Sequence, residues 1–324
     1  MFILPGSARV EDSQKIGNTV MIRIFRTTFS LGQVRKTMSE RNLHNKKQHI
    51  HISAQHKWFD LKLKEVWQYR DLIWLFTKRS FVVIYKQTIL GPAWLFLNPL
   101  ITSLMYAFVF GGIAKIGTDG APQILFYLSG TAIWTFFSTC LTKNATAFTT
   151  NASLFGKIYF PRLTIPVSNI LSSAIQFGIQ FLMVMVFLIY FVITGEVSPN
   201  WWAFSLIPVV IIHLGLMGMG FGVIISSLTT KYRDLSILVG FGVSLWMYAT
   251  PVVYPLSTLS DGWMQTVLLI NPVTMPVEMF RFAVLGTGTI MPLYLAISWV
   301  VTVIVLLLGI MVFNKVERTF MDTV

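Results

Sequence analysis

Charge is what this chain has least of. Of its 324 residues only 12% are Asp, Glu, Lys or Arg, while 54% are hydrophobic. An ordinary soluble domain carries about a quarter charged residues, so the apolar surplus exceeds what one core can bury and part of the surface must face lipid. Cysteine is nearly absent. Cys140 stands alone in an apolar run, which excludes an intrachain disulfide and a cysteine-based metal site. No substantial apolar stretch precedes residue 57, so no signal peptide is evident and the first span is expected to direct insertion itself.

Catalytic groups are scarce too. Intramembrane chemistry needs positioned acids, bases or metal ligands, which are costly and conspicuous at membrane depth. The apolar runs contain almost none, and the acids Asp119, Glu196, Asp261 and Glu278 are scattered. A phosphate loop of the G-x-x-x-x-G-K-[ST] type is missing as well. Gly156-Lys157 is followed by Ile158, the position five before Gly156 is Asn151, and no other Gly-Lys pair exists. The chain therefore cannot hydrolyse ATP by that mechanism.

What the chain does have is basic charge, unevenly placed. The net charge is +12, and 16 of the 25 Lys and Arg residues precede residue 91. A basic flank beside anionic lipid fits this distribution, and nucleic acid does not. Residues 1–57 are polar and basic, with His44, His49, His51 and His56 among them. They read as a disordered cytoplasmic tail in preference to a metal tract; residues 1–37 lack clear periodicity, which leaves Met38 as an alternative start.

Residues 58–91 mix Trp67, Leu72, Trp74, Leu75 and the run Phe81 to Tyr85 with Arg70, Lys78, Arg79 and Lys86. That is too charged to cross a bilayer and too apolar to float, the pattern of an interfacial amphipathic helix. Gly91-Pro92 ends it. Six apolar runs of spanning length follow, at roughly 93–114, 124–142, 164–193, 202–228, 235–254 and 292–313. The third, at about 1.5 Å per residue, is about 45 Å long and must tilt, kink near Pro166 or protrude. The domain boundaries expected are thus 1–57, 58–91, a six-span region over 92–318, and a cytoplasmic tail at 319–324.

Loops 115–123, 194–201 and 255–291 hold only Lys115 and Arg281, and the remaining 23 cations lie on the other side. By the positive-inside rule both termini are cytoplasmic. The loop 255–291 carries apolar residues broken by Pro272 and Pro276. It reads either as a re-entrant pair of short helices shielded by protein or as a cap lying flat at the interface. Asn169, Ser172, Ser173, Gln176 and Gln180 recur along one face of the third run, as interhelical glue or as the lining of a pathway. His213 has no evident partner in the sequence and reads as a hydrogen-bonded packing residue, and Gly218-x-x-x-Gly222 permits close helix approach.

Four stretches, in order, resemble the permease subunits of type-2 ABC exporters that move lipid-linked polysaccharide such as O-antigen, teichoic acid or capsule. They are "YRDLIWLFTKRSFVVIYKQTILGPAW" before the first span, "SLFGKIYFPRLTIP" between the second and third, "KYRDL" with "TPVVYP" around the fifth, and "NPVTMPVEMFRFAVLG" before the sixth. The resemblance spans about residues 60–318. It implies a homodimer of six-span subunits in the bacterial inner membrane, driven by a separate ABC ATP-binding subunit. This chain would bind no cofactor, ATP and magnesium belonging to that partner.

The same resemblance implies that the loop between spans two and three carries a short helix docking on the ATPase. Leu154, Phe155, Tyr159 and Phe160 would supply apolar grip there, and Lys157 and Arg162 would pair with acidic groups or lipid phosphate. It implies a transport path at the dimer interface lined by spans one and five, placing Trp94, Phe96, Tyr106, Phe110, Trp246 and Tyr248 near a passing glycan. Arg70, Arg79 and Lys86 would attract the pyrophosphate of a polyprenyl carrier. The reading is an all-α integral membrane protein with six transmembrane helices, an N-terminal amphipathic interface helix and re-entrant helices before the last span. Rival readings are an exporter of a drug or small lipid, a membrane enzyme acting on polyprenyl phosphate, and a channel.

Overall fold

The computed structural model describes residues 63–86, 91–155, 160–229, 232, 234–258 and 262–323, all within the unit Lys57–Val324. The N-terminal tail, Gly156 to Tyr159, and Lys231 and Arg233 of the "KYRDL" stretch lie outside the described residues. Every regular element described is helical: α1 (Leu63–Gln68), α2 (Arg70–Lys86), α3 (Trp94–Tyr106), α4 (Gln123–Ala145), α5 (Ala147–Thr150), α6 (Ala152–Phe155), α7 (Thr164–Ile193), α8 (Ile207–Thr229), α9 (Leu235–Tyr248), α10 (Trp263–Ile270), α11 (Thr274–Leu285) and α12 (Pro292–Thr323).

Five stretches are long and apolar enough to cross a bilayer: Trp94–Ile113, Gln123–Ala145, Thr164–Ile193, Trp201–Thr229 and Pro292–Phe313. They coincide with five of the six expected runs. The remaining run forms α9, an apolar helix of 14 residues, or about 21 Å at the helical rise. Its sequel from Ala249 to Pro255 turns out of the helix, because Pro251 and Pro255 cannot donate to a continuing ladder. Between α9 and α12, α10 and α11 meet at 87°. A bend of this size is that of a re-entrant pair or of one broken span. The long third span is one 30-residue helix, and Pro166 sits in its first turn, where the missing N–H would have had no helical acceptor.

Helix α4 is the hub. It packs against α3, α7, α8, α9 and α11, while α12 packs on α8 and α2 on α7. Its contact with α8 needs glycine. A Cβ at Gly218 would lie 2.8 Å from Cys140 Cβ, and one at Gly222 would lie 2.6 Å from Leu141 O, so the two backbones touch where other residues would hold them apart. On the other flank Asn169 donates to Asn144 Oδ1 at 3.0 Å and to Lys143 O at 3.3 Å, and Lys143 Nζ donates to Ser172 Oγ at 3.1 Å. That part of the polar face of α7 is interhelical glue. His213, stacked on Trp299 with ring centroids 4.0 Å apart, shares hydrogen bonds with Thr302 and Ser298 and is a packing residue.

Two ends of the helical assembly differ in composition. At one end a cluster of Val66, Ile73, Phe148, Phe155, Phe160, Ile165, Met219 and Phe313 joins α1 and α2 to the α4–α7 connection and to α12. At the other, α11 is buried over nearly its whole length against α4 and the 3-10 turn Trp201–Leu206.

Candidate coupling and translocation sites

The connection between α4 and α7 is held by a chain of aromatic rings. Phe148 stacks on Phe313 of α12 at 4.3 Å, Phe155 lies 5.8 Å from Phe148 and stacks on Phe160 at 5.7 Å, and Phe160 meets Phe76 of α2 at 5.7 Å. Arg162 lies over the Phe155 ring at 5.3 Å and is buried. This alters the sequence reading of the loop. Phe155 and Phe160, expected to grip a partner, are each only 5% exposed, so their surface is already covered by this chain. Arg162 is not placed to meet an outside acid. The physical reason is that an aromatic pair gains more from burial beside other rings than from waiting at a surface. Leu154 remains half-buried, and Lys157 and Tyr159 lie outside the described residues.

On α2 the candidate cations separate. Arg79 and Lys86, seven residues apart, share a face and are exposed; Arg70, also exposed, lies nine residues before Arg79 and emerges half a turn away. The helix seats Ile73 and Thr77 against α7 and exposes Trp74, Leu75 and Val83. It therefore presents apolar and basic side chains together, the surface of an interfacial helix.

Of the aromatic path candidates, the structure brings some together. Tyr106 and Phe110 meet edge-on at 5.6 Å and both approach Tyr127, at 6.4 and 6.5 Å. Tyr106 OH points to Met247 Sδ of α9 at 3.8 Å, beside the exposed Tyr248. The last turns of this span, Ala107–Ile113, widen to π-helical pairing, with Ala114 N bonding Val109 O at 2.9 Å, a distortion often found where a helix serves a site. Trp94 and Phe96 are exposed in the first turn of α3, twelve and ten residues from Tyr106. Trp246 is held apart from this group. It sits edge-on to Phe137 and Phe221, each at 5.3 Å, and donates its indole N–H to Asn271 Oδ1 at 3.1 Å. These contacts leave the ring partly buried.

The sequence reading missed the most connected polar node. Arg281 of α11 is 1% exposed and donates to Pro251 O, to Val252 O at 2.6 Å and to Glu278 Oε1 at 3.2 Å, with its guanidinium 3.9 Å above the Phe126 ring. Glu278 Oε2 accepts the N–H of Thr289 at 3.1 Å. Counted earlier as scattered loop charges, the two form a buried i,i+3 ion pair. The readable signal was an acid three residues before a base inside an apolar stretch, since such charges persist at depth only when paired.

With this geometry in view the chain can be set beside known proteins. Residues 71–285 match the family described as ABC-2 type transporter. The chain belongs to that family. As a permease of an ABC-2 system it is a multi-pass membrane component, and its system includes a separate ATP-binding subunit that hydrolyses the nucleotide. It is 27% identical over 252 residues to the O-antigen export system permease protein RfbA of Klebsiella pneumoniae, covering 78% of this chain and 94% of that protein. A second Klebsiella pneumoniae protein of that name is 26% identical over the same extents. The Myxococcus xanthus RfbA permease is 29% identical over 213 residues, 65% of this chain and 78% of its own length.

Proposed function

We propose that this chain is the membrane-spanning half of an ATP-driven exporter that moves a lipid-linked polysaccharide, of the O-antigen or teichoic-acid kind, across the bacterial inner membrane. The observation that carries the reading is that relatives matched over nearly their whole length bear the name O-antigen export permease. Two copies would form the transporter. The support is the sparse burial of α3, whose span is only 11% buried, and of α9, where only Val243 is buried: together they offer an apolar surface that a second copy would cover. Tyr106, Phe110 and Tyr248, with Trp94 and Phe96 farther along, would then border the glycan path. Both termini would lie in the cytoplasm, following the cation asymmetry.

In this reading the α4–α7 connection receives the ATPase stroke. A coupling element must be rigid and anchored to the span it moves, so that displacement is transmitted and not absorbed. The aromatic chain from Phe76 through Phe160 and Phe155 to Phe313 gives that anchorage. Leu154, Lys157 and Tyr159 are the residues proposed to touch the partner. On α2, Arg79 and Lys86 would draw in the pyrophosphate of a polyprenyl carrier, while Arg70 would face lipid headgroups on the opposite flank.

Deleting the gene tests the reading. Lipid-linked glycan should accumulate on the cytoplasmic side and surface polysaccharide should disappear; normal surface polymer with no accumulation would rule the glycan out and leave a drug or small-lipid exporter.

A further inference from the structure

Helices α4 and α8 turn opposite kinds of surface outward. From Val209 to Leu228, every residue of α8 that is not buried is Val, Ile, Leu or Phe. That face suits acyl chains. From Trp134 to Phe148, along α4 and into α5, every residue that is not buried carries a hydroxyl or an ammonium: Thr135, Ser138, Thr139, Thr142, Lys143 and Thr146. Acyl chains offer such a strip no hydrogen-bond partner.

Back-bonding accounts for part of the strip. Ser138 Oγ donates to Thr135 O at 3.1 Å, Thr142 Oγ1 to Ser138 O at 2.8 Å and Thr146 Oγ1 to Thr142 O at 3.2 Å, so these hydroxyls are met by nearby backbone. Lys143 is not served in that way. Its Nζ donates once, to Ser172 Oγ of α7 at 3.1 Å, and among the described residues it pairs with no carboxylate. Ser172 lies eight residues into α7, about 12 Å from the start of that helix, so the ammonium is half-buried between two spans. Two of its three N–H donors are left over, and a charge in such a place calls for a counter-charge.

The register of α4 against α7 shows what lies beside it. Phe136 meets Phe177 with ring centroids 5.5 Å apart, and Asn144 bonds Asn169 at 3.0 Å, so the two helices run antiparallel with this seam between them. Lys143 and Ser172 flank the seam. Residues four apart share a helix face, and the flank therefore carries Thr139 on α4 and Gln176 on α7 one turn further on. Gln176 Nε2 is buried and has no hydrogen-bond partner. Gln180, the next residue in that series, is 6% exposed and leaves its Oε1 unmet. Unmet amide groups at such burial are costly, and a ligand removes the cost.

We infer that Lys143, Thr139 and Gln176, on the open flank of the α4–α7 seam, form a binding site for a phosphate group carried on a lipid. The donors decide the class of ligand. Phosphate oxygens accept from an ammonium, an amide N–H and a hydroxyl together, and the charged contact is the strong one. Water held with the phosphate donates to Gln180 Oε1. The site is separate from the cations of α2, because Arg79 and Lys86 are exposed on an interfacial helix whereas Lys143 is half-buried between spans. It rests on the export reading only for the source of the phosphate, which is either the polyprenyl carrier of a glycan or a phospholipid of the surrounding leaflet.

The test measures lipid retention by the full complex with its ATPase subunit, in nanodiscs of zwitterionic phosphatidylcholine. Two radiolabelled probes are compared, polyprenyl pyrophosphate and phosphatidylglycerol. Preference for the first assigns the site to the carrier, and equal retention or preference for the second assigns it to bilayer phospholipid. Lys143→Gln keeps a donor for Ser172 and removes the charge; it should weaken retention of the preferred probe about tenfold or more. Lys143→Arg should restore it, and Gln176→Leu should weaken it by a smaller factor. Retention of neither probe above the phosphatidylcholine background, or wild-type retention by Lys143→Gln, overturns the site. So does a loss confined to the paired variant Arg79→Gln with Lys86→Gln, which would place the phosphate on α2 alone. If Lys143→Gln fails to assemble, Gln176→Leu decides, and wild-type retention by that variant overturns the site. Normal surface polymer after gene deletion would remove the polysaccharide and leave the phosphatidylglycerol comparison standing, so the two readings fail separately.

Discussion

The spans Trp94–Ile113, which begins with α3, and Gln123–Ala145, which is α4, are both apolar and of bilayer length, yet 78% of the most apolar part of the second is buried within the chain and 11% of the first. Hydropathy does not distinguish them; the size of their side chains does. Helix α4 carries Ser129, Gly130, Thr131 and Ala132 in sequence and admits five neighbouring helices, whereas α3 projects Ile101, Leu104 and Met105 outward, as do the π-helical turns after it with Phe108. In lipid, where apolar surface alone drives no association, close packing and polar contacts decide which helix becomes a hub. An apolar helix that turns bulky side chains outward is left for lipid or for another protein.

The comparison can be broken most severely at the hub. Gly222→Leu should drive a side chain into Leu141 O and Asn144, beyond the usual overpacking cost of about 1–3 kcal/mol, and the protein should lose its monodisperse peak in detergent chromatography. Next in size, Phe155→Ala should cost about 3–5 kcal/mol of packing at the aromatic chain. It should reduce co-purification of the ATPase subunit or leave ATP hydrolysis running without export; intact coupling would remove the loop from its proposed role.

On the bare helix, Phe108→Arg should raise the cost of insertion by about 2.5–3.5 kcal/mol if the position reaches the membrane centre. A cysteine at Phe108 in a Cys140→Ser background should cross-link two copies, and failure to do so under conditions that link a surface control would argue that lipid, and not a second copy, covers α3. The smallest effect belongs to a buried polar contact that joins the two helices, Ser103 Oγ with Thr131 Oγ1 at 3.0 Å. Ser103→Ala should cost about 0.6 kcal/mol, visible as a small fall in thermal melting.

Much of this architecture is legible without coordinates. A run such as Trp94 to Ile113 must cross lipid because nothing else will accept it. Gly218-x-x-x-Gly222 announces close approach, and the prolines at 272 and 276 announce that the stretch before α12 cannot be one straight helix. Legibility ends where side chains of similar type divide by environment. Trp246 and Tyr248 are two residues apart, and the sequence reading treated both as path aromatics; one packs edge-on against Phe137 and Phe221, partly buried, and the other is exposed. Arg70 and Arg79 look interchangeable along the chain but leave α2 half a turn apart.

Composition and period alone determined that this is a helical membrane protein with a basic flank and without a phosphate loop of its own, because burial of apolar surface and the cost of charge in lipid act on every residue regardless of its partners. Tertiary structure decided which helix is central, that Phe155 and Phe160 anchor inward, and that Glu278 and Arg281 find each other and the end of α9. Those outcomes depend on contacts between residues far apart in the chain, and a one-dimensional pattern carries no distance between them.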